Sequence, residues 1–143
     1  AARGEVVNEE ALMTAIPKLG AVVIDTWNNE PNVNEELVEL VDIATPHIAG
    51  YSYQGKVNGT RMAVRAVAEC LDIEPLKDFS PDDSDEDRQP VRLDLRGRTH
   101  GEIAAVLQYN YPIFTDDFRF RMEPHKFEKL RNEYQYRREI VLE

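Results

Sequence analysis

The stretch "AVVIDTWNNEPNVNEELVELVDIATPHIAGYS", residues 21–52, decides the fold. It opens on a continuous apolar run, "AVVID" at 21–25, whose β-branched residues suit a strand buried on both faces of a parallel sheet. "PNVNEELVELVD" follows, with Asn34 as a helix cap and Leu37, Leu40 and Val41 on one face. "IAT" at 43–45 is then a very short strand leading into Pro46. Strand, helix and strand within about 30 residues make a βαβ unit.

Upstream, "VVNEEALMTAIPKLG" reads as a short helix. Asn8 caps it, Glu9 and Glu10 suit the positive end of its dipole, and Pro17 and Gly20 stop it. Downstream, a long helix is expected from about Tyr53 to Leu71, with Val57, Val64, Val67, Ala68 and Leu71 at helical spacing and Gly59 as a weak point. The composition then changes. "SPDDSDEDRQP" at 80–90 sets five acids and a serine between two prolines, with nothing to bury, and reads as a solvated linker. Beyond it, "PVRLDLRG" alternates like a half-exposed strand. "THGEIAAVLQYNY" opens with Thr99 and Glu102 at capping-box spacing. "EPHKFEKLRNEYQYRREIVL" reads as a helix through about Tyr134, closed by a short strand. The expected organisation is therefore 1–72 with the βαβ unit and long helix, an acidic linker at 73–90, and a small α+β module at 91–143.

Bulk composition narrows the function classes. The 143 residues carry a formal charge of −10, which would repel a phosphate backbone and argues against nucleic-acid binding. No run approaches the roughly 18 apolar residues of a membrane helix, and the first residues lack the architecture of a signal peptide. Cys70 is the only cysteine, so no internal disulfide can form, and three scattered histidines with one thiol do not make a metal site. A cytoplasmic location is the expectation, and so, from the missing initiator Met, is a processed or partial chain.

Four residues carry chemistry: Arg3, Asp25, Glu30 and His47. The last three follow strand ends of the βαβ unit, and Arg3 precedes the first helix. In an open α/β sheet, ligands bind in loops beyond the carboxyl ends of the strands. The set suits oxidation of a 2-hydroxy acid. A guanidinium grips a carboxylate with two parallel hydrogen bonds. An imidazole takes the hydroxyl proton and can return it, and a carboxylate fixes its tautomer and stabilises the imidazolium. The hydride must go to a cofactor, since no side chain accepts one.

"ARGEVVNEEAL", "IDTWNNEP" and "TPHIAGYS" together resemble the later half of the D-2-hydroxyacid dehydrogenase superfamily signature. Within it, the whole of 1–143 is similar to the 4-phosphoerythronate dehydrogenase family. The tyrosine in "AGYS", the helix "GKVNGTRMAVRAVAECL" and the final "YQYRREI" carry that finer likeness. The resemblance implies the C-terminal remnant of a Rossmann NAD-binding domain with its long helix, followed by an α+β domain that forms a homodimer. It implies NAD-dependent oxidation of a small phosphorylated hydroxy acid, 4-phospho-D-erythronate, to its 2-oxo acid in vitamin B6 synthesis. Arg3 would bind and polarise the substrate at the cofactor, Glu30 would partner the histidine, and His47 would exchange the proton. Asp25 and Gly50 would line the NAD, and Tyr51 would touch the substrate.

No G-x-G-x-x-G fingerprint occurs in these residues. The chain is therefore expected to begin partway through the nucleotide-binding domain, with exposed apolar faces on "AVVID", and to be inactive alone. Two rival readings are a dehydrogenase of another 2-hydroxy acid and an autonomous dimerisation module. Bland roles are expected elsewhere. His100 and His125 read as surface or capping residues, Cys70 as a buried apolar thiol, and Trp27 as packing beside the site. Arg119, Arg121, Arg131, Arg137 and Arg138 read as a solvated, salt-bridged face, or alternatively as reaching a partner subunit's site.

Overall fold

The structure, a computed structural model, describes residues 3–81 and 91–140. It contains two compact units, residues 1–50 with 107–135 and residues 51–106 with 136–143.

The first unit is built on the βαβ motif. Strand β1 (Val23–Ile24) pairs in parallel with β2 (Ile43–Ala44), Val23 opposite Ile43 and Ile24 opposite Ala44. Both strands are shorter than the apolar runs suggest. Side chains take over the ladder at its entry, where Asp42 Oδ2 accepts the Val22 N–H at 2.6 Å. Burial on both faces is not observed either. Val22 is buried while Val23 is 57% exposed, so β1 packs through one face.

Helix α1 (Glu9–Ala15) starts where the Asn8 side chain accepts the Ala11 N–H at 2.9 Å, and α2 (Glu35–Leu40) where Asn34 accepts the Leu37 N–H at 3.2 Å. Both caps satisfy an N–H that the helix itself cannot. A 3-10 turn at Gly4–Val6 precedes α1. Gly4 is buried so closely against the Trp27–Asn28 backbone that a Cβ there would lie 2.1 Å from the Trp27 carbonyl oxygen.

Two further helices complete this unit, α6 (Ile113–Met122) and α7 (Phe127–Asn132). The sequence of α6 alternates in "FRFRM" as a strand would. Its Phe120 meets Trp27 edge-on at 5.5 Å and Phe127 at 5.9 Å between ring centres. These rings fill a core with Val22, Leu37, Val38, Val41 and Ala44, each such pair adding roughly 0.5–1.5 kcal/mol beyond its buried area. Asp117 and Arg121, one turn apart on α6, form an ion pair. Asp117 Oδ1 accepts the Ala44 N–H at 2.6 Å. Arg121 donates to the carbonyls of Val38 and Val41, the latter at 2.7 Å. Arg121 is thus the C-terminal cap of α2, and the expectation of a solvated face fails for it.

In the second unit α3 (Tyr53–Cys70) runs unbroken through Gly59. Ser52 Oγ accepts the Gly55 N–H at 2.9 Å and donates to Glu139. The helix closes as Asp72 turns left-handed at φ 53° and the Ile73 N–H reaches the Ala68 carbonyl at 2.8 Å, a Schellman ending. Of the expected apolar face only Ala68 is buried, while Val67 and Leu71 are exposed. Cys70 is exposed as well, correcting the buried thiol, because it lies two residues, about 200° of helical rotation, beyond Ala68. Within the span expected as linker, Glu74–Lys77 forms the short helix α4, and residues 82–90 lie outside the described residues.

The expected strand at 91–97 is absent among the described residues, with Val91 and Leu93 exposed and no partner strand beside them. Gly97, at φ 73°, turns the chain towards α5 (His100–Asn110). The capping box is present, with the Thr99 N–H donating to Glu102 at 2.8 Å and the Glu102 N–H to Thr99 Oγ1 at 3.3 Å. Residues 91–140 are therefore helical rather than α+β, save one isolated bridge between Ser52 and Arg137. The compact units also cut across the division 1–72, 73–90 and 91–143, because Phe120 and Phe127 are core residues of the first unit.

Three outcomes are expected. Arg121→Met should lower the unfolding free energy by about 2–3 kcal/mol in urea melts, since it strands Asp117 and the α2 carbonyls, whereas exposed Arg119→Met should change it by less than about 0.5 kcal/mol. Gly4→Ala should cost about 1–3 kcal/mol by overpacking, while Gly20→Ala, with open space around it, should be nearly neutral. The Thr99 N–H and hydroxyl, then Arg98, hold the Glu102 carboxyl below its ordinary 4.5. That contribution to the α5 start is present above 4.5 and lost as pH falls through the lowered value. The Thr99 amide resonance should therefore titrate below pH 4.5, and Glu102→Ala should abolish the titration.

Candidate active site

The βαβ unit brings together three of the four chemically loaded residues. Arg3, Glu30 and His47 line one open groove of about 1210 Å³, with Gly4, Trp27 and Asn28 along the same wall. Arg3 reaches it on the turn seated against Trp27, and the fit requires Gly4 beside it.

Glu30 and His47 are in direct contact. His47 Nδ1 lies 2.8 Å from Glu30 Oε2, and the two side chains are 29% and 21% exposed. An ionised carboxylate only accepts, so Nδ1 carries the hydrogen facing Glu30, and in the neutral ring Nε2 then holds the lone pair. The other carboxylate oxygen, Oε1, accepts the Trp27 N–H at 2.9 Å. Glu30 is thereby held at both oxygens, and its orientation fixes the ring. Trp27, 2% exposed, also donates its indole N–H to the Thr45 carbonyl at 2.9 Å. It is the packing residue the sequence suggested, with a tie to the histidine loop added.

Asp25 lies behind that loop. Its Oδ1 accepts the Thr45 hydroxyl at 2.7 Å and the Ile48 N–H at 2.8 Å, and its Oδ2 accepts the Ala49 N–H at 3.0 Å. One carboxylate thus gathers residues 45–49 around His47. The His47 N–H returns to the Thr45 carbonyl at 3.0 Å, closing a tight turn over Pro46. His47 itself stands at φ 57°, in the left-handed region that a non-glycine residue rarely adopts. Gly50 ends the loop, exposed, with open space where a Cβ would be.

Tyr51 belongs to the second unit and is described with it. Its ring meets Tyr136 edge-on at 5.6 Å, and the Lys56 ammonium lies 4.0 Å from its centre. Arg137 donates to the Tyr51 carbonyl at 3.4 Å, and the Arg138 guanidinium lies 4.8 Å from the centre of the Tyr53 ring. His100 and His125 are exposed, as expected. Two contributors were not singled out in advance as supports of the site. Asp117 anchors the end of β2, and Arg131 donates from Nε to the His47 carbonyl at 3.3 Å. Each acts across more than 70 residues of sequence, a separation at which no local pattern names the partner.

Comparison with known proteins follows the same lines. Residues 1–49 match the family model described as D-isomer specific 2-hydroxyacid dehydrogenase, NAD binding domain. The chain is 39% identical over 139 residues to an erythronate-4-phosphate dehydrogenase of Bacteroides thetaiotaomicron, covering 96% of this chain and 37% of that protein. Enzymes of the same name from Porphyromonas gingivalis and Photorhabdus laumondii are each 36% identical, over 98% and 97% of this chain and 38% of their own lengths. The chain thus spans less than two fifths of the length of these relatives. Almost the whole of it is homologous to part of the erythronate-4-phosphate dehydrogenases, and its first 49 residues to the NAD-binding domain of the D-isomer specific 2-hydroxyacid dehydrogenases.

Proposed function

We propose that this chain carries the acid–base half of an NAD-dependent dehydrogenase that oxidises 4-phospho-D-erythronate to 3-hydroxy-2-oxo-4-phosphooxybutanoate, in the synthesis of pyridoxal 5′-phosphate. The observation that carries the reading is the Glu30–His47 contact at 2.8 Å in the groove that Arg3 also lines. The activity belongs to the full-length protein containing these residues.

His47 Nε2 takes the proton of the substrate hydroxyl as the carbonyl forms, and gives it back in reverse. Glu30 stabilises the imidazolium created at that moment and keeps the ring from turning over. The Arg3 guanidinium holds the substrate carboxylate with a planar pair of donors and withdraws charge from the reacting carbon. Asp25 and Gly50 are not among the residues lining that groove; they would meet the NAD at the loop after β2, where Gly50 leaves its backbone open to close approach. NAD, when bound, supplies the hydride acceptor that side chains lack. Tyr51 keeps its proposed role as a substrate contact.

We further propose a homodimer formed through the C-terminal residues. Phe114, Phe118 and Met122, spaced four apart on α6, are 61%, 63% and 65% exposed and make an apolar stripe suited to a second copy.

His47→Gln in the full-length protein should lower kcat for 4-phosphoerythronate oxidation by about 10²–10⁴-fold, with NAD affinity by calorimetry unchanged. Turnover within a few-fold of the wild type would remove His47 from the mechanism. Equal activity on a hydroxy acid without the phosphate would set aside the substrate.

A further inference from the structure

His47 occupies the left-handed region of backbone space, which persists in a non-glycine residue only where the surroundings over-determine it. Its neighbours in sequence supply part of that constraint. Asp25 holds the N–H groups of Ile48 and Ala49, and the Thr45 carbonyl receives both the His47 N–H and the Trp27 indole. These contacts fix the peptide groups on either side of residue 47. The carbonyl of His47 itself is met from elsewhere, by Arg131 Nε at 3.3 Å.

Arg131 comes from α7, whose first residue, Phe127, is 2% exposed in the aromatic core. The guanidinium therefore starts from an anchored helix, and its planar fork aims a donor in a fixed direction. Arg131 is not among the residues lining the groove, whereas Arg3, Glu30 and His47 are. It meets the site through the backbone of the residue it holds. We propose that Arg131 is a positioning residue for His47, fixing the left-handed backbone from which the imidazole reaches Glu30. The inference rests on the reading of His47 as the proton acceptor.

The test uses Arg131→Met, which keeps the apolar stem and removes the donor. In the full 143-residue chain with ¹⁵N-labelled histidine, wild-type His47 should give ring signals of a fixed Nδ1–H tautomer. In the variant these should move towards averaged tautomers while those of His100 and His125 stay in place. In the full-length enzyme kcat should fall about tenfold, with KM for both substrates within about twofold, as expected when a reacting group is slightly misplaced. Added guanidinium ion should restore part of the loss in the variant and do nothing for the wild type. Unchanged His47 signals, or a rise in KM at unchanged kcat, would overturn the proposal. If Arg131→Met does not fold, Arg131→Gln, too short to reach the carbonyl, is judged by the same results. Absence of phosphoerythronate oxidation by the wild-type protein would defeat the functional reading, while the ring spectra would still decide the role of Arg131.

Discussion

The Asp117–Arg121 pair on α6 is the constraint on which the first unit depends. One carboxylate oxygen receives the N–H at the end of β2, and the guanidinium closes the end of α2. Both ends of the segment leading to His47 are thus tied to one turn of a helix more than 70 residues away. Alone, such a pair costs nearly as much to desolvate as it returns. Here the surrounding N–H and carbonyl groups use its remaining donors and acceptors, and Phe120 on the same helix buries against Trp27 and Phe127. The polar tie sets register and the aromatic cluster supplies the burial.

The candidate site inherits that rigidity in layers. Glu30 meets the imidazole, Trp27 meets both Glu30 and the Thr45 carbonyl, and Asp25 meets the loop on the other side of His47. The carboxylates of Glu30 and Asp25 are themselves held by backbone N–H groups. This matters because proton transfer is sensitive to heavy-atom distance, and an acceptor free to rotate would spend little time aligned.

Much of this was legible in the sequence where the signal is local. The caps at Asn8 and Asn34, the Thr99–Glu102 box and the long helix from Tyr53 all depend on residues within four positions of each other. Strand ends placed Asp25, Glu30 and His47 on neighbouring loops, and the family resemblance singled out Glu30 as the partner of the histidine. Other features misled. "VRLDLR" alternates, yet a strand needs a partner, and Asp94 instead binds Arg96 two residues on. Helix α6 was hidden because "FRFRM" alternates like a strand while its packing follows helical turns. The C-terminal arginines looked like a solvated face because charge alone does not say which of them end on a carbonyl. The grouping of residues into compact units was hidden for the same reason: Phe120 and Phe127 pack in one core with Val22, Leu37, Val38, Val41 and Ala44.

The conformation of His47 has a further consequence. At φ 57° glycine or asparagine would sit more comfortably than histidine. Substitution there by glycine or asparagine should yield proteins that resist heat better while performing worse. A library screened only for thermal resistance would then discard the imidazole, and one screened for growth would retain it. Opposed outcomes at a single codon are the mark of a trade-off between durability and chemistry.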